Sequence, residues 1–68
     1  MEIDERKIRA IRINKNYTQE KVAELSGVSR SQIQRIEGGD VDPKMSTLSK
    51  LAKGLDCSVN DFIVEKSE

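Results

Sequence analysis

The 68-residue chain has no histidine and no tryptophan, a single cysteine and a single proline, and only Tyr17 and Phe62 as aromatics. Each gap closes a class of function. A lone Cys57 excludes an internal disulfide, and without histidine a zinc site would need one thiolate and carboxylates alone. No metal or other cofactor is expected. No nucleophile has a base near it and no glycine-rich phosphate loop is present, so an enzyme has almost no support. No apolar run is long enough to span a bilayer, and the start at Met1 is acidic and charged instead of basic and then apolar, so a cytoplasmic protein without membrane contact is expected. A chain this short buries a modest core, which predicts one domain over residues 1–68 and no deep pocket for a small molecule.

What is present is charge and helical periodicity. Twelve Lys/Arg and twelve Asp/Glu cancel, but unevenly: residues 1–37 hold eight basic against six acidic side chains, and residues 38–68 hold four against six. Phosphate affinity depends on local positive surface more than on the total, so neutrality does not exclude a polyanionic partner. Ile8 and Ile11 among Arg6, Lys7, Arg9 and Arg12 predict a first helix over residues 4–15, ended by Asn16, which tolerates the left-handed conformation. Thr18 is an N-cap for a second helix running to Ser26. Ser29 with Gln32 reads as a capping box for a third, which Gly38 and Gly39 stop. After a loop over residues 38–43, Ser46 is expected to cap a fourth helix carrying Leu48, Leu51, Ala52 and Leu55, with Gly54 near its end. Ser58 and Asp61 open a short fifth with Val59, Phe62 and Ile63. No strand pattern and no internal repeat appear. The fold class expected is all-α, five short helices around one core.

Residues 19–36 carry the most information. Ala23 supplies the small side chain that two tightly crossing helices need at their contact, and Gly27 supplies the positive φ of a sharp reversal. Val22, Leu25, Val28, Ile33 and Ile36 are spaced to turn both inner faces onto the core. With Ile33 and Ile36 inward, a step of about 100° per residue puts Ser31, Gln34 and Arg35 on the opposite face and Arg30 at its flank. Such a row of donors suits a helix laid in the DNA major groove.

Thr18-Gln19, Val22-Ala23, Gly27-Val28-Ser29, Ile33, Ile36-Glu37, Gly39, Pro43, Leu48, Leu51-Ala52 and Leu55, in that order and spacing, resemble the Xre/Cro family of helix-turn-helix regulators, which includes the lambda-type repressors. The resemblance runs from about Lys7 to Phe62. It implies a lambda repressor-like domain with a central helix-turn-helix, acting as a sequence-specific transcriptional regulator, a repressor, on an inverted repeat in double-stranded DNA. Carried over residue by residue, Arg30, Ser31, Gln34 and Arg35 are the base-contact candidates. Arg can hold guanine O6 and N7 bidentately, and Gln can do the same with adenine N6 and N7. Gln19, at a helix N-terminus, and Ser29 are candidates for the DNA backbone. Arg12 and Glu37 are expected to pair, with Arg12 also within reach of a phosphate. Where relatives often carry Asn and then a basic residue after the third helix, this chain has Gly38, Asp40 and Asp42. That departure leaves the Gly38 and Gly39 amides and Lys44 as the loop's backbone-contact candidates, and implies weak nonspecific binding.

Blander roles cover the rest. Cys57 reads as a buried, inert thiol, Tyr17 as a cap over the core, and the cations of the first helix as a solvated face. Phe62, Ile63 and Val64 are more apolar than one short helix needs, which makes them the candidate contact of a homodimer. The alternative function is a protein-interaction module such as the antitoxin of a toxin–antitoxin pair. Such antitoxins usually carry an added segment for the toxin, and only residues 65–68 follow Val64.

Overall fold

In the computed structural model, which describes residues 2–64, four α-helices and one short 3-10 helix enclose a core built from every element. The helices are α1 (Glu5–Asn14), α2 (Gln19–Ser26), α3 (Arg30–Glu37) and α4 (Met45–Gly54), followed by the 3-10 helix Val59–Phe62. Their ends are set by local chemistry. Asp4 accepts the Arg6 amide at the start of α1, Thr18 accepts the Lys21 amide at 3.0 Å, and Ser29 accepts the Gln32 amide at 3.2 Å. Asn16 takes φ 60° beyond α1, and Gly27 takes φ 78° between α2 and α3, as the left-handed closure of each helix requires.

The apolar stripes converge as periodicity predicts. Ile8, Val22, Val28, Ile33, Ile36, Leu48, Leu51, Leu55 and Phe62 are buried, and Ile11, Tyr17, Ala23, Cys57 and Val59 pack against them from partly buried positions. Each fully buried Leu, Ile or Phe contributes about 1.5–3 kcal/mol of transfer free energy, so these positions dominate the stability of so small a fold.

Four expectations change. Leu25 is 42% exposed. The inward face of α2 is Val22, Ala23 and Ser26, because α2 packs on α4 through Ser26, and Leu25 lies on the far side of Val22 from that contact. Helix α4 begins at Met45 with Lys44 as an N-cap that makes no side-chain bond; the Leu48 amide reaches the Lys44 carbonyl at 3.0 Å and leaves Ser46 inside the first turn. The fifth helix is a single 3-10 turn, tied at its start by the Ser58 amide donating to the Asp61 carboxylate at 3.0 Å. Two terminal segments also pair as an isolated antiparallel bridge between Ile3 and Ile63, with the Asp4 amide on the Phe62 carbonyl and the Val64 amide on the Glu2 carbonyl, both 2.9 Å. A bridge this short is invisible to a two-residue period.

Gly54 ends α4 for a reason other than helix termination. A Cβ there would lie 2.8 Å from the Ser26 Cβ and 3.0 Å from its Cα, so the glycine permits the close approach of α2 to α4. The left-handed residue after α4 is Asp56, φ 55°. No helix among the described residues is long and apolar enough to cross a membrane.

Candidate functional site

Helix α3 is two-faced. Ile33 and Ile36 are 1% exposed, while Arg30, Ser31, Gln34 and Arg35 all stand in solvent on the other side. The Arg35 side chain makes no hydrogen bond or ion pair among the described residues, while its carbonyl accepts the Asp40 amide at 3.0 Å. Arg35 lines an open groove together with Ser29 and Ser31 and with Asp42, Lys44 and Thr47 from the loop and the start of α4. The structure therefore brings Ser29, Ser31, Arg35 and Lys44 together around one groove. The Ser29 hydroxyl, which accepts the Gln32 amide, keeps its proton for an outside acceptor.

A second groove lies between the first turns of α2 and α3 and is lined by Arg12, Thr18, Gln19, Glu20 and Arg30. Thr18 occupies the Lys21 and Val22 amides through its hydroxyl and carbonyl, which leaves the Gln19 and Glu20 amides open at the positive end of α2. Beside them sits a part-buried pair whose side chains are largely withdrawn from solvent. Arg12 Nε donates to Glu37 Oε2 at 2.7 Å and Arg12 Nη2 to Glu37 Oε1 at 2.9 Å, while Arg12 Nη1 donates to the Tyr17 carbonyl at 2.9 Å. The two side chains are 13% and 5% exposed. Gln19 Nε2 joins at 3.4 Å from Glu37 Oε1. One carboxylate thus fixes the relation of α1, the start of α2 and the end of α3, so the open α2 amides and the polar face of α3 are held on one side of the molecule. Arg12 keeps two guanidinium N–H bonds beyond those three, and the residue lines this groove.

Two expected contributors are already engaged. The Gly38 amide donates to the Gln34 carbonyl at 3.0 Å and the Gly39 amide to the Ile36 carbonyl at 3.1 Å. Both close the C-terminus of α3, with Gly39 at φ 78°, and neither has an N–H left for a DNA phosphate. Phe62 is 0% exposed and is a core residue, so it cannot form part of a dimer contact. Ile63 and Val64 remain half-buried at the surface. Lys7 Nζ donates to the Ile63 carbonyl at 2.8 Å and holds this segment down on α1.

Glu20 was not singled out by the spacing of the sequence. Its Oε1 lies 4.0 Å from Arg30 Nη1, with the side chains 75% and 61% exposed. The pair joins residues ten apart on different helices, so only the crossing of α2 and α3 discloses it. Cys57 packs against the core, and burial, followed by the charge of Asp61, pushes its thiol pKa up, which suits an unreactive side chain.

Residues 8–62 match a family model described as helix-turn-helix. The HTH-type transcriptional regulator PuuR of Escherichia coli (strain K12) is 38% identical over 60 residues, which cover 88% of this chain and 32% of that protein. The chain therefore spans about a third of the length of that relative. An uncharacterized HTH-type transcriptional regulator of Methanocaldococcus jannaschii is 40% identical over 63 residues, 91% of this chain and 96% of the relative. Among solved structures, the restriction-modification controller protein C.AhdI from Aeromonas hydrophila superposes with a TM-score of 0.81 at 32% identity, covering 84% of this chain and 86% of that one.

Proposed function

The chain belongs to the helix-turn-helix family of DNA-binding transcriptional regulators, a family of binding proteins and not of enzymes, and we propose that it represses transcription by binding an inverted repeat in double-stranded DNA as a homodimer. The observation that carries this reading is the exposed face of α3, set beside the open first turn of α2 by the Arg12–Glu37–Gln19 network. In this reading α3 lies in the major groove. Ser31, Gln34 and Arg35 meet base edges, with Arg30 at the flank. Gln19, Ser29, Arg12 and Lys44 meet phosphates on either side of the groove.

One helix of this length reads few base pairs. A two-fold dimer through Ile63 and Val64 would present two recognition helices to half-sites about 34 Å apart. The acids Asp40 and Asp42 beside α3 weaken the sequence-independent grip, so specificity rests on base contacts more than on charge.

Selection of bound sequences from random duplex DNA tests the reading, repeated with Arg35→Ala and Gln34→Ala. The expected result is an inverted repeat whose preference relaxes at one position per half-site in each variant, at a cost of about 1–3 kcal/mol per lost bidentate contact. A folded protein that enriches nothing at low salt refutes it.

A further inference from the structure

We infer that Glu20 is a positioning residue for Arg30: its carboxylate draws the first guanidinium of the recognition helix toward α2 and competes for it with the DNA backbone. The inference rests on the DNA-binding reading and deepens it.

Three observations combine. The Arg30 guanidinium is drawn to Glu20 Oε1 at 4.0 Å across the groove that Gln19 and Arg12 also line. Both members are largely exposed, so the pair contributes little to the fold and exchanges readily with an external anion. That groove also holds the open amides of the α2 first turn, so an arriving phosphate oxygen meets donors from Gln19 and Arg12 and one carboxylate that repels it. Glu24, one turn further along α2 and equally exposed, pairs with Lys21 at 3.6 Å on its own helix and makes no ion pair with α3 among the described residues. The acid that matters is therefore the one opposite Arg30.

The consequence is an exchange. To reach a phosphate or a base edge, Arg30 must leave Glu20, and the carboxylate it leaves behind stays beside the DNA. Both effects lower affinity on every sequence by a similar factor. Removing the carboxylate frees one cation for the duplex, so affinity rises and its dependence on salt steepens.

The test is a double-mutant cycle on the full chain with Glu20→Gln, Arg30→Gln and both together, each checked for fold by circular dichroism. Binding to a short duplex of scrambled sequence is titrated over a range of KCl concentrations. Glu20→Gln should tighten binding about two- to fivefold, the worth of one exposed ion pair. It should also steepen the slope of log affinity against log salt by up to about 0.9, the share of one more neutralised phosphate. In the Arg30→Gln background the same substitution should do less, because only the repulsion of the phosphates by the carboxylate is relieved and no guanidinium is freed. An equal gain with and without Arg30 overturns the positioning role, as does an unchanged slope in a wild-type protein that binds DNA. If neither the wild type nor Glu20→Gln binds any duplex at low salt, the DNA-binding reading falls and the exchange falls with it.

Discussion

Replacing Arg12 by alanine should cost this protein a large part of its stability, and the size of the loss follows from what Glu37 would face. The Glu37 side chain is 5% exposed, and both of its oxygens are held by Arg12, at 2.7 and 2.9 Å. Without Arg12 the remaining polar partner of that carboxylate among the described residues is Gln19 Nε2 at 3.4 Å. Removing one member of a buried, hydrogen-bonded pair typically costs about 3–5 kcal/mol, because the other charge stays buried and uncompensated. The Tyr17 carbonyl loses its donor as well. Against a total of about 3–10 kcal/mol for a chain of this length, the single substitution removes a third or more of the folding free energy. Glu37→Gln should cost less, about 1–3 kcal/mol, since the amide oxygen still accepts from Arg12 and the guanidinium keeps the Tyr17 carbonyl. Replacing both by leucine should come out close to wild type, because two apolar side chains in that space leave no orphaned charge. Urea unfolding followed by far-ultraviolet circular dichroism measures all three. At a slope of about 1 kcal/mol per molar urea, Arg12→Ala should lower the midpoint by several molar or leave the chain unfolded in buffer. A shift under about half a molar would mean that the pair behaves like an exposed one, and the reasoning from burial would be refuted.

Gly54→Ala and Gly27→Ala should separate two uses of glycine. At Gly54 an added Cβ meets Ser26 at 2.8 Å, so the strain of overpacking, about 1–3 kcal/mol, should outweigh the gain in helix propensity; at Gly27 the Cβ meets nothing, and the loss is the φ 78° penalty alone, about 1–2 kcal/mol. Thermal unfolding measures both, and a stabilised Gly54→Ala would refute the close approach of α2 to α4. The Asp4 carboxyl is held below the ordinary carboxylate range, first by the side-chain hydrogen bond from Arg6 and next by the Arg6 amide. A depressed native pKa gives stability that is present above the unfolded value and lost as the pH falls through the native one, so Asp4→Asn should lower stability at neutral pH, leave it little changed at low pH and so flatten the acid limb; an unchanged acid limb would remove Asp4 from the account.

The parts of the fold that were legible in the sequence are those governed by contacts within a few residues. Thr18, Ser29, Asn16 and Gly27 mark their helix ends through their own backbone and side-chain chemistry, and the structure places each as that chemistry requires. The stripes of α3 and α4 follow from helical period, and so does the exposed donor row of α3. What escaped depends on how elements meet. Leu25 fits the apolar spacing of α2, but the approach of Ser26 to Gly54 sets that helix so that Leu25 is turned out to solvent, while Ala23 packs against the core as expected. Phe62 looked like surplus apolar surface, yet the single turn that carries it inserts the ring into the core while the Ile3–Ile63 bridge fastens its ends. In the candidate site the face of α3 was readable, whereas the Glu20 contact, the Gln19 contact to Glu37 and the engagement of the Gly38 and Gly39 amides were not. Each of those is decided by a crossing angle or by the closing turn of a helix.

The equal numbers of acids and bases acquire a physical meaning once the partners are assigned. Glu37 is paired with Arg12 at a part-buried site, Asp4 holds Arg6, Glu24 holds Lys21, and Asp61 is spent on the Ser58 amide. Lys7 is likewise committed, to the Ile63 carbonyl. These groups cancel one another or serve helix ends, and they contribute little to the field outside the molecule. The cations left facing out on α3 are Arg35, which has no partner among the described residues, and Arg30, whose one partner is the exposed Glu20 at 4.0 Å. Neutrality over the chain is therefore compatible with a positive α3, but the excess is only one or two charges, too few to hold a polyanion strongly at physiological salt. A regulator built this way gains tight binding by making specific base contacts and by doubling them. The proposed contact through Ile63 and Val64 supplies the second copy, and it joins two weakly charged reading heads in place of one strongly charged one.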